Sequence, residues 1–245
     1  MTRPFQIGDH VTGAFFTDRA DEVARILRAL RESTRLLVLG PRRMGKSSAI
    51  AVATERAQAE GVVVVRADLS TASGLVDVAN RLLASLSAQR SGERLAELAR
   101  SLSPYVSLSY DQPAGTPRLS FGVARRRAPE EEQRASLEAV IERLASESGE
   151  AAHVAVVLDE FQAIRRFGGE PAEWHLRDVI QRHGELSFVC AGSEVSLIHA
   201  MLGKDRAFFR AFELLHVGPM DPTHLARWID DRLTGAGVAA AGIGA

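Results

Sequence analysis

The sequence contains one cysteine, Cys190, and this scarcity excludes a disulfide framework. A chain without disulfides suits a reducing compartment, so we expect a cytoplasmic protein in which Cys190, inside an apolar run, is a buried thiol. The first residues lack the long apolar core of a signal peptide, and no apolar run approaches membrane-spanning length. We therefore expect no membrane partner.

The sequence also lacks an excess of either charge, with 30 Lys and Arg against 31 Asp and Glu and a net charge of -1 at pH 7. This balance gives no overall basic surface for nucleic acid, although it is compatible with a local basic face. The seven histidines show no spacing typical of metal ligands. With 46% hydrophobic and 25% charged residues, the chain has the composition of a globular protein with a full core.

One stretch fits the phosphate-loop pattern G-x-x-x-x-G-K-[ST], and it consists of Gly40, Pro41, Arg42, Arg43, Met44, Gly45, Lys46 and Ser47. A short apolar strand precedes it at 35–39, and a helix beginning with Ser48 follows it. Glycines allow the chain to fold around an anion, and the helix N-terminus adds N–H donors and partial positive charge. We expect Lys46 to reach the β- and γ-phosphates and Ser47 to offer its hydroxyl to Mg²⁺, with Ser48 completing the nucleotide-binding stretch.

Two acidic residues, Asp159 and Glu160, directly follow an apolar strand at 153–158. A carboxylate in this position can hold Mg²⁺, and the next carboxylate can orient and deprotonate a water molecule for attack on the γ-phosphorus. The alternative is an acidic strand end that only faces solvent. The phosphate loop upstream favours the catalytic interpretation.

Apolar runs and amphipathic helices alternate along the chain, with core strands expected at 35–39, 62–65, 153–158, 186–191 and 214–217. This pattern predicts an α/β fold, a P-loop NTPase three-layer sandwich with a mostly parallel five-stranded sheet. Ligands then bind at the carboxyl ends of the strands. In the helix that Pro171 opens, we expect Trp174, Val179 and Ile180 to be core residues.

The rhythm breaks between the second and third core strands, where alternating residues on both sides of a turn-rich stretch predict an inserted β-hairpin at about 104–125. A short helix is expected before it, at 91–102. Three arginines, at 125–127, follow the hairpin and read either as a nucleic-acid contact or as a solvated face. We expect an ATPase domain over 1–234 and, at 235–245, a flexible Gly/Ala tail or the truncated start of a lid.

Together, the phosphate loop, the stretch 158–162 (Leu-Asp-Glu-Phe-Gln) and the stretch 191–193 (Ala-Gly-Ser) resemble the archaeal-type ATPases. These proteins occur also in bacteria and are relatives of the AAA+ and signal-transduction (STAND) NTPases. The segment 16–22 is similar to their N-terminal Phe-x-x-Arg-x-x-Glu motif, which lies near the base and ribose. The resemblance therefore implies that Arg19 lies near the nucleotide. Family members usually continue into a helical lid and a C-terminal winged-helix-like domain.

The resemblance also implies roles for individual residues. Lys46 and Ser47 would bind phosphate and Mg²⁺, Asp159 would hold the metal, and Glu160 would be the catalytic base. The resemblance also implies roles for Ser193 and Arg210.

Ser193 takes the polar sensor position that faces the γ-phosphate, although a helix N-cap before Glu194 is an equal alternative. Arg210 matches an arginine that senses or neutralises γ-phosphate charge, from the same chain or from a neighbouring subunit. A surface salt bridge is an equal alternative for Arg210, because Arg206, one turn away, could equally be the match.

These features favour a cytoplasmic protein that binds ATP and hydrolyses it with Mg²⁺ to drive a conformational switch. One alternative is a nucleotide-gated module with little turnover that binds a protein partner or itself. Another is a DNA-associated ATPase, for which Arg42, Arg43 and the arginines at 125–127 are the support. No Asn-Lys-x-Asp stretch is present to read guanine, so ATP is the expected nucleotide.

Overall fold

The structure is a computed structural model that describes residues 4–5, 11–89, 106–110, 117–121, 130–149 and 152–237. The α-helices in these ranges are α1 (Ala20–Arg31), α2 (Lys46–Ala59), α3 (Leu75–Ser87), α4 (Glu130–Glu147), α5 (Glu170–Arg182), α6 (Val195–Leu202) and α7 (Pro222–Gly235). The strands are β1 (Arg35–Leu39), β2 (Val63–Asp68), β3 (Val106–Tyr110), β4 (Pro117–Phe121), β5 (Val154–Asp159), β6 (Ser187–Gly192) and β7 (Glu213–His216). Short 3₁₀ helices lie at Gly13–Phe15 and Phe161–Phe167.

Five strands form one parallel sheet in the order β2-β5-β6-β1-β7. The other two, β3 and β4, pair antiparallel as a separate hairpin, with Val106 opposite Phe121 and Tyr110 opposite Pro117. The predicted α/β fold, with its five core strands and inserted hairpin, is therefore confirmed. The predicted helix at 91–102, the hairpin turn at 111–116 and the arginines at 125–127 lie outside the described residues.

Each face of the sheet is covered by its own hydrophobic cluster, which makes the fold a three-layer sandwich. One cluster joins α1 and α2 to the sheet through residues such as Ile26 and Ile50, both fully buried. The other joins the α3–α6 helices to the opposite face, with Leu82 and Phe188 among its members. The strands β1, β5 and β6 are buried on both faces, which explains why they read as continuous apolar runs. Among the described residues, no helix is both long enough and apolar enough to cross a bilayer.

The prediction that Trp174 belongs to the core is wrong. Its side chain is 41% exposed, although Val179 and Ile180 on the same helix are buried as expected. Leu176 and Ile180 lie four residues apart on the core-facing side, and Trp174 lies two residues before Leu176, which turns it about 200° away. The indole instead faces the guanidinium of Arg177, 5.2 Å from its ring centroid.

The register of the sheet brings three loops to one edge. Leu39, the last residue of β1, is opposite Gly192, the last residue of β6. On the other side of β6, Leu158 near the end of β5 is opposite Cys190. The segments that follow β1, β5 and β6 therefore leave the sheet side by side, with β6 in the middle.

Candidate nucleotide-binding site

The loop between β1 and α2 has the backbone shape of a phosphate cradle. Gly45 has a φ of 84° in the left-handed region and accepts the first helical hydrogen bond of α2, from the Ala49 N–H at 2.9 Å. At Gly40, a Cβ atom would lie 2.2 Å from the carbonyl oxygen of Val217, so only glycine fits there. Arg43 also has a positive φ, of 66°. The loop thus places the N-terminus of α2 next to the ends of the strands, where anions bind.

The remaining loop positions surround this cradle. The side chains of Pro41, Arg42 and Arg43 are exposed. Met44 is half-buried and packs against the cluster beneath α1 and α2. Ser48 accepts a hydrogen bond from the Val11 N–H at 3.0 Å, which ties the N-terminal segment to the start of α2.

The ammonium group of Lys46 folds back onto the loop. It donates to the carbonyl oxygens of Gly40 and Pro41 at 2.6 and 2.8 Å, and the residue is only 6% exposed. Burial lowers the pKa of Lys46, and the nearby carboxylates of Glu160 and Asp159 oppose that shift. The Lys46 ammonium thus lies at the centre of the phosphate loop, where its positive charge would stabilise a bound anion.

The hydroxyl of Ser47 donates to Oδ2 of Asp159 at 3.1 Å, across 112 positions of sequence. The other carboxylate oxygen, Oδ1, accepts from the Glu160 N–H at 2.9 Å. Burial is the main cause that raises the pKa of Asp159, against the lowering effect of these two hydrogen bonds. A hydroxyl and a carboxylate oxygen in contact are the oxygen ligands that Mg²⁺ prefers, so these residues fit the expected ion.

Glu160 leaves the end of β5 with a φ of 50°, in the left-handed region that is uncommon for residues other than glycine. Its Oε2 accepts hydrogen bonds from the Ser193 hydroxyl, at 2.7 Å, and from the side-chain amide of Gln162. The backbone strain and the two donors together fix the direction of the carboxylate.

Ser193 lies directly after β6 and is 8% exposed. The N-cap of α6 is Glu194, and no side-chain cap hydrogen bond is made there, so the helix-capping alternative for Ser193 is wrong. Its hydroxyl instead joins two sides of the site, because it also accepts from Nε of Arg42 at 3.5 Å. The carboxyl end of β6 thus connects Glu160 to the phosphate loop.

Arg19 is 5% exposed and anchors the N-terminal segment to the site. Its Nη2 donates to the carbonyl oxygens of Met44 at 3.1 Å and Gly218 at 2.6 Å, and its Nη1 pairs with Glu22 at 2.8 Å. One guanidinium therefore holds the phosphate loop, the segment after β7 and α1 together.

A cavity of about 480 Å³ adjoins Arg19, and it is lined by residues 16–23 together with Arg56, Asp221 and His224. The Asp18 carboxylate accepts from the Asp221 N–H at 2.8 Å, which closes one side of it. Its volume is within the range of small-molecule sites in proteins.

Arg210 and Arg206 lie in the loop between α6 and β7, and among the described residues neither is hydrogen-bonded to the phosphate loop, Glu160 or Ser193. Arg210 has a φ of 52°, and its guanidinium lies 5.1 Å from the Phe209 ring centroid. Arg206 pairs with Glu170 at 3.0 Å and with the fully buried Glu173 at 3.7 Å. Among the described residues Arg210 makes no ion pair, so the surface salt bridge suggested for it is not found.

Two residues of this site, Gln162 and Gly192, lie in the stretches that carry the family resemblance, but the sequence predicts no role for either. Gln162 is 4% exposed, and its amide orients Glu160. Gly192 makes room for it, because a Cβ there would lie 2.8 Å from Oε1 of Gln162 and 1.9 Å from Cδ1 of Ile198. A polar amide two positions after Glu160, between the apolar residues Phe161 and Ala163, was the available signal.

Residues 16–191 match the family described as the AAA ATPase domain, and the chain belongs to this family. No match was found among curated proteins.

The fold is also similar to solved archaeal structures. The Walker-type ATPase of Pyrococcus abyssi is 18% identical with a TM-score of 0.59, over 97% of this chain and 64% of that one. The ORC1 protein of Aeropyrum pernix, in complex with DNA, is 15% identical with a TM-score of 0.57, over 91% and 51% of the two chains. The ORC2 protein of Aeropyrum pernix, in ADPNP–ADP complexes, is 16% identical with a TM-score of 0.56, over 88% and 52%. The chain thus spans between about half and just under two thirds of the length of these proteins.

Proposed function

We propose that this domain binds ATP and hydrolyses it with Mg²⁺, and that hydrolysis resets a conformational switch. The observation that carries the proposal is the contact between Ser47 and Asp159 at 3.1 Å, beside Lys46 and Glu160. Residues from two segments far apart in sequence meet at the carboxyl edge of the sheet. Their chemistry matches the parts that phosphoryl transfer to water requires.

The phosphate loop would bind the triphosphate through its backbone N–H groups and through Lys46. In exchange for its carbonyl partners, Gly40 and Pro41, the ammonium would donate to β- and γ-phosphate oxygens. Ser47 and Asp159 would hold Mg²⁺, which when bound neutralises charge on the β- and γ-phosphates. The half-buried Asp159 carboxylate, which contacts the Ser47 hydroxyl, supports this assignment of the metal ligands.

Glu160 would accept the proton of the attacking water. Its Oε2 is held by Ser193 and Gln162, which leaves Oε1 as the atom that would take the proton. Ser193 would additionally report on the γ-phosphate, because its hydroxyl lies between Glu160 and the loop residue Arg42.

We further propose that the cavity beside Arg19 holds the base and ribose. Arg19 contacts the carbonyl groups of both Met44 and Gly218, so a shift of the phosphate loop would pull on the segment that leads into α7. This connection supports the switch: α7 would follow the state of the nucleotide. Arg210 would contribute its positive charge from a neighbouring subunit, because in this chain its guanidinium lies on the Phe209 ring.

The test is release of inorganic phosphate from ATP by the wild-type protein, with and without Mg²⁺, compared with Lys46→Ala. The control variant is Lys204→Ala, which removes an exposed lysine in the loop after α6. We expect turnover that needs Mg²⁺, a loss of about a hundredfold or more in Lys46→Ala, and none in Lys204→Ala. Wild-type protein without turnover, or equal turnover in all three proteins, would contradict the proposal.

A second candidate is a nucleotide-gated interaction module with little turnover, whose partner is another protein or a second copy of the chain. The observation in its favour is that Oε2 of Glu160 accepts two hydrogen bonds, from Ser193 and Gln162. These bonds restrict the rotation of the carboxylate and occupy one of the two oxygens that could accept a proton from water. Tight ATP binding without phosphate release, together with an ATP-dependent change in oligomeric state or partner capture, would favour this function over hydrolysis.

DNA is an alternative partner for the ATPase. It is supported by the exposed side chains of Arg42 and Arg43 and by the similarity in fold to a protein solved with DNA. Salt-sensitive binding of duplex DNA by the isolated protein would support it, and its absence would count against it. The buried, unpaired thiol of Cys190 fits the cytoplasm, where we place the protein.

A further inference from the structure

Arg42, at the third position of the phosphate loop, contacts Ser193, which in turn contacts Glu160. Nε of Arg42 donates to the Ser193 hydroxyl at 3.5 Å, and that hydroxyl donates to Oε2 of Glu160 at 2.7 Å. Arg42 therefore reaches from the loop across to the end of β6, a separation of 151 positions in sequence.

The guanidinium of Arg42 has unused donors. Within the part of the chain that the structure describes, its two terminal nitrogens have no hydrogen-bond or ion-pair partner. The side chain is exposed, so these N–H groups are open to a ligand. A guanidinium offers its donors in a planar fork that matches the oxygens of a phosphate group.

Arg42 also shares its surroundings with Lys46. Burial is the main cause that lowers the pKa of the Lys46 amine; Glu160 and Asp159 raise it, and the Arg42 guanidinium lowers it further. Two cations and two carboxylates thus face the same space. The outermost phosphate of a bound triphosphate would enter between them, because Lys46 reaches the β- and γ-phosphates in loops of this pattern.

We propose that Arg42 binds the γ-phosphate of ATP from within the same chain, and that it distinguishes ATP from ADP. The inference rests on the proposed nucleotide site. Arg42 then supplies a cation at the γ-phosphate from within the chain, in addition to the charge that Arg210 would contribute from a neighbouring subunit. The geometry favours it, because Arg206 is engaged by Glu170 and Glu173, and Arg210 lies on the Phe209 ring.

The proposal implies a coupling between the γ-phosphate and the base. If binding of a phosphate by the two terminal nitrogens turns the guanidinium, Nε leaves the Ser193 hydroxyl, which keeps its bond to Glu160 but loses its donor from the loop. The same phosphate oxygens can then occupy the free acceptor position of Ser193 only through a bridging water or a shared proton. The position of Arg42 would thus differ between the ATP and ADP states.

The test compares the affinities of wild type, Arg42→Ala and Arg42→Lys for Mg²⁺–AMP-PNP and Mg²⁺–ADP by calorimetry. The matched control is Arg31→Ala, which removes an exposed arginine paired with Glu60 at 3.3 Å on the surface. Thermal melting checks that every variant is folded.

In Arg42→Ala we expect affinity for the triphosphate analogue to fall between roughly tenfold and a hundredfold, and affinity for ADP to stay within about twofold. Arg42→Lys should lie between these limits, because it keeps the charge but not the planar fork. Arg31→Ala should match wild type for both nucleotides.

An equal effect on both nucleotides, or none on either, would overturn the role of Arg42. This comparison does not depend on turnover. If wild type binds both nucleotides but releases no phosphate, the proposed hydrolysis fails. The ratio of the affinities for AMP-PNP and ADP, compared between wild type and Arg42→Ala, still tests the role of Arg42. If wild type binds neither nucleotide, both proposals fail.

Discussion

The Ser193 hydroxyl lies 2.7 Å from Oε2 of Glu160, across 33 positions of sequence. The two residues follow neighbouring parallel strands, β6 and β5, whose ends are level in the sheet. The contact therefore follows from the strand order. It joins the residue proposed as catalytic base to a polar group that also touches the phosphate loop.

Removing this hydroxyl should impair the base without removing the nucleotide. In Ser193→Ala we expect kcat for ATP hydrolysis to fall between about tenfold and a hundredfold, because Glu160 loses one of the two donors that direct it. ATP affinity should change much less. Steady-state phosphate release over a range of ATP concentrations separates the two effects.

A double-mutant cycle with Glu160→Gln shows whether Ser193 affects kcat through Glu160. If Ser193 acts through Glu160, the loss from Ser193→Ala should nearly vanish in the Glu160→Gln background. Full additivity of the two losses would show that Ser193 acts independently. Ser193→Thr, which keeps a hydroxyl, should recover part of the rate.

Arg19 should be important for stability as well as for the site. Arg19→Ala removes hydrogen bonds to Met44 and Gly218 in a residue that is 5% exposed, and we expect the free energy of unfolding to fall by about 3 kcal/mol. Arg25→Ala is the control, because its pair with Glu213 is 41% exposed on both sides and should contribute about 1 kcal/mol or less. Urea unfolding of the three proteins measures the difference, and equal losses would contradict the structural role of Arg19.

The end of β6 should not tolerate a side chain at Gly192. A Cβ there would lie 1.9 Å from Cδ1 of Ile198 and 2.8 Å from Oε1 of Gln162, so Gly192→Ala must displace one of them. We expect a loss of about 1–3 kcal/mol in the free energy of unfolding, and a lower kcat, because Gln162 orients Glu160. Gly184→Ala is the control, since the nearest atom to its Cβ would be Nη2 of Arg35 at 4.0 Å. Wild-type stability and kcat in Gly192→Ala would show that the neighbouring side chains move freely.

The stability of the fold should fall as the solution is acidified through the ordinary range of histidine. Burial lowers the pKa of His153, and burial is also the main cause that lowers the pKa of His175. The unfolded chain, with a histidine pKa of about 6.5, then binds more protons than the folded chain just below that pH. The free energy of unfolding therefore rises with pH between the lowered pKa of each folded histidine and about 6.5. The stability that His153 and His175 contribute is present above this range and is lost as the pH falls through it.

The measurement is the melting temperature at pH 7.5 and pH 5.5 for wild type and His153→Gln. The variant keeps a polar group beside the Ser187 hydroxyl, which His153 contacts at 2.7 Å, but removes the titrating imidazole. We expect a smaller acid-induced decrease in the variant. An equal or larger decrease would contradict the assignment of part of the acid sensitivity to His153.

The fold followed from the sequence because the inner strands of a parallel sheet, here β1, β5 and β6, are buried on both faces and read as apolar runs. The hairpin was visible as alternation, and Lys46 and Asp159 were visible because their residue types and positions are restricted by chemistry. The order of the strands was not visible. The strand order depends on which crossover connections form, and an apolar run does not indicate which other strand it pairs with.

Side-chain details beyond the motifs needed the three-dimensional structure. Trp174 was misjudged because hydrophobicity alone does not say which side of a helix a residue occupies. Gln162 was missed because its role depends on Gly192, which is distant in sequence but adjacent in space. The contact of Arg42 with Ser193 is of the same kind, since the loop pattern restricts only its glycines, Lys46 and Ser47.

The most direct test of the account is the behaviour of Glu160→Gln towards ATP. The substitution keeps the shape of the side chain and removes its capacity to accept a proton at neutral pH. The account predicts ATP binding within about twofold of wild type and phosphate release lower by about a hundredfold to a thousandfold. Hydrolysis at the wild-type rate in Glu160→Gln, with Mg²⁺ present, would contradict it.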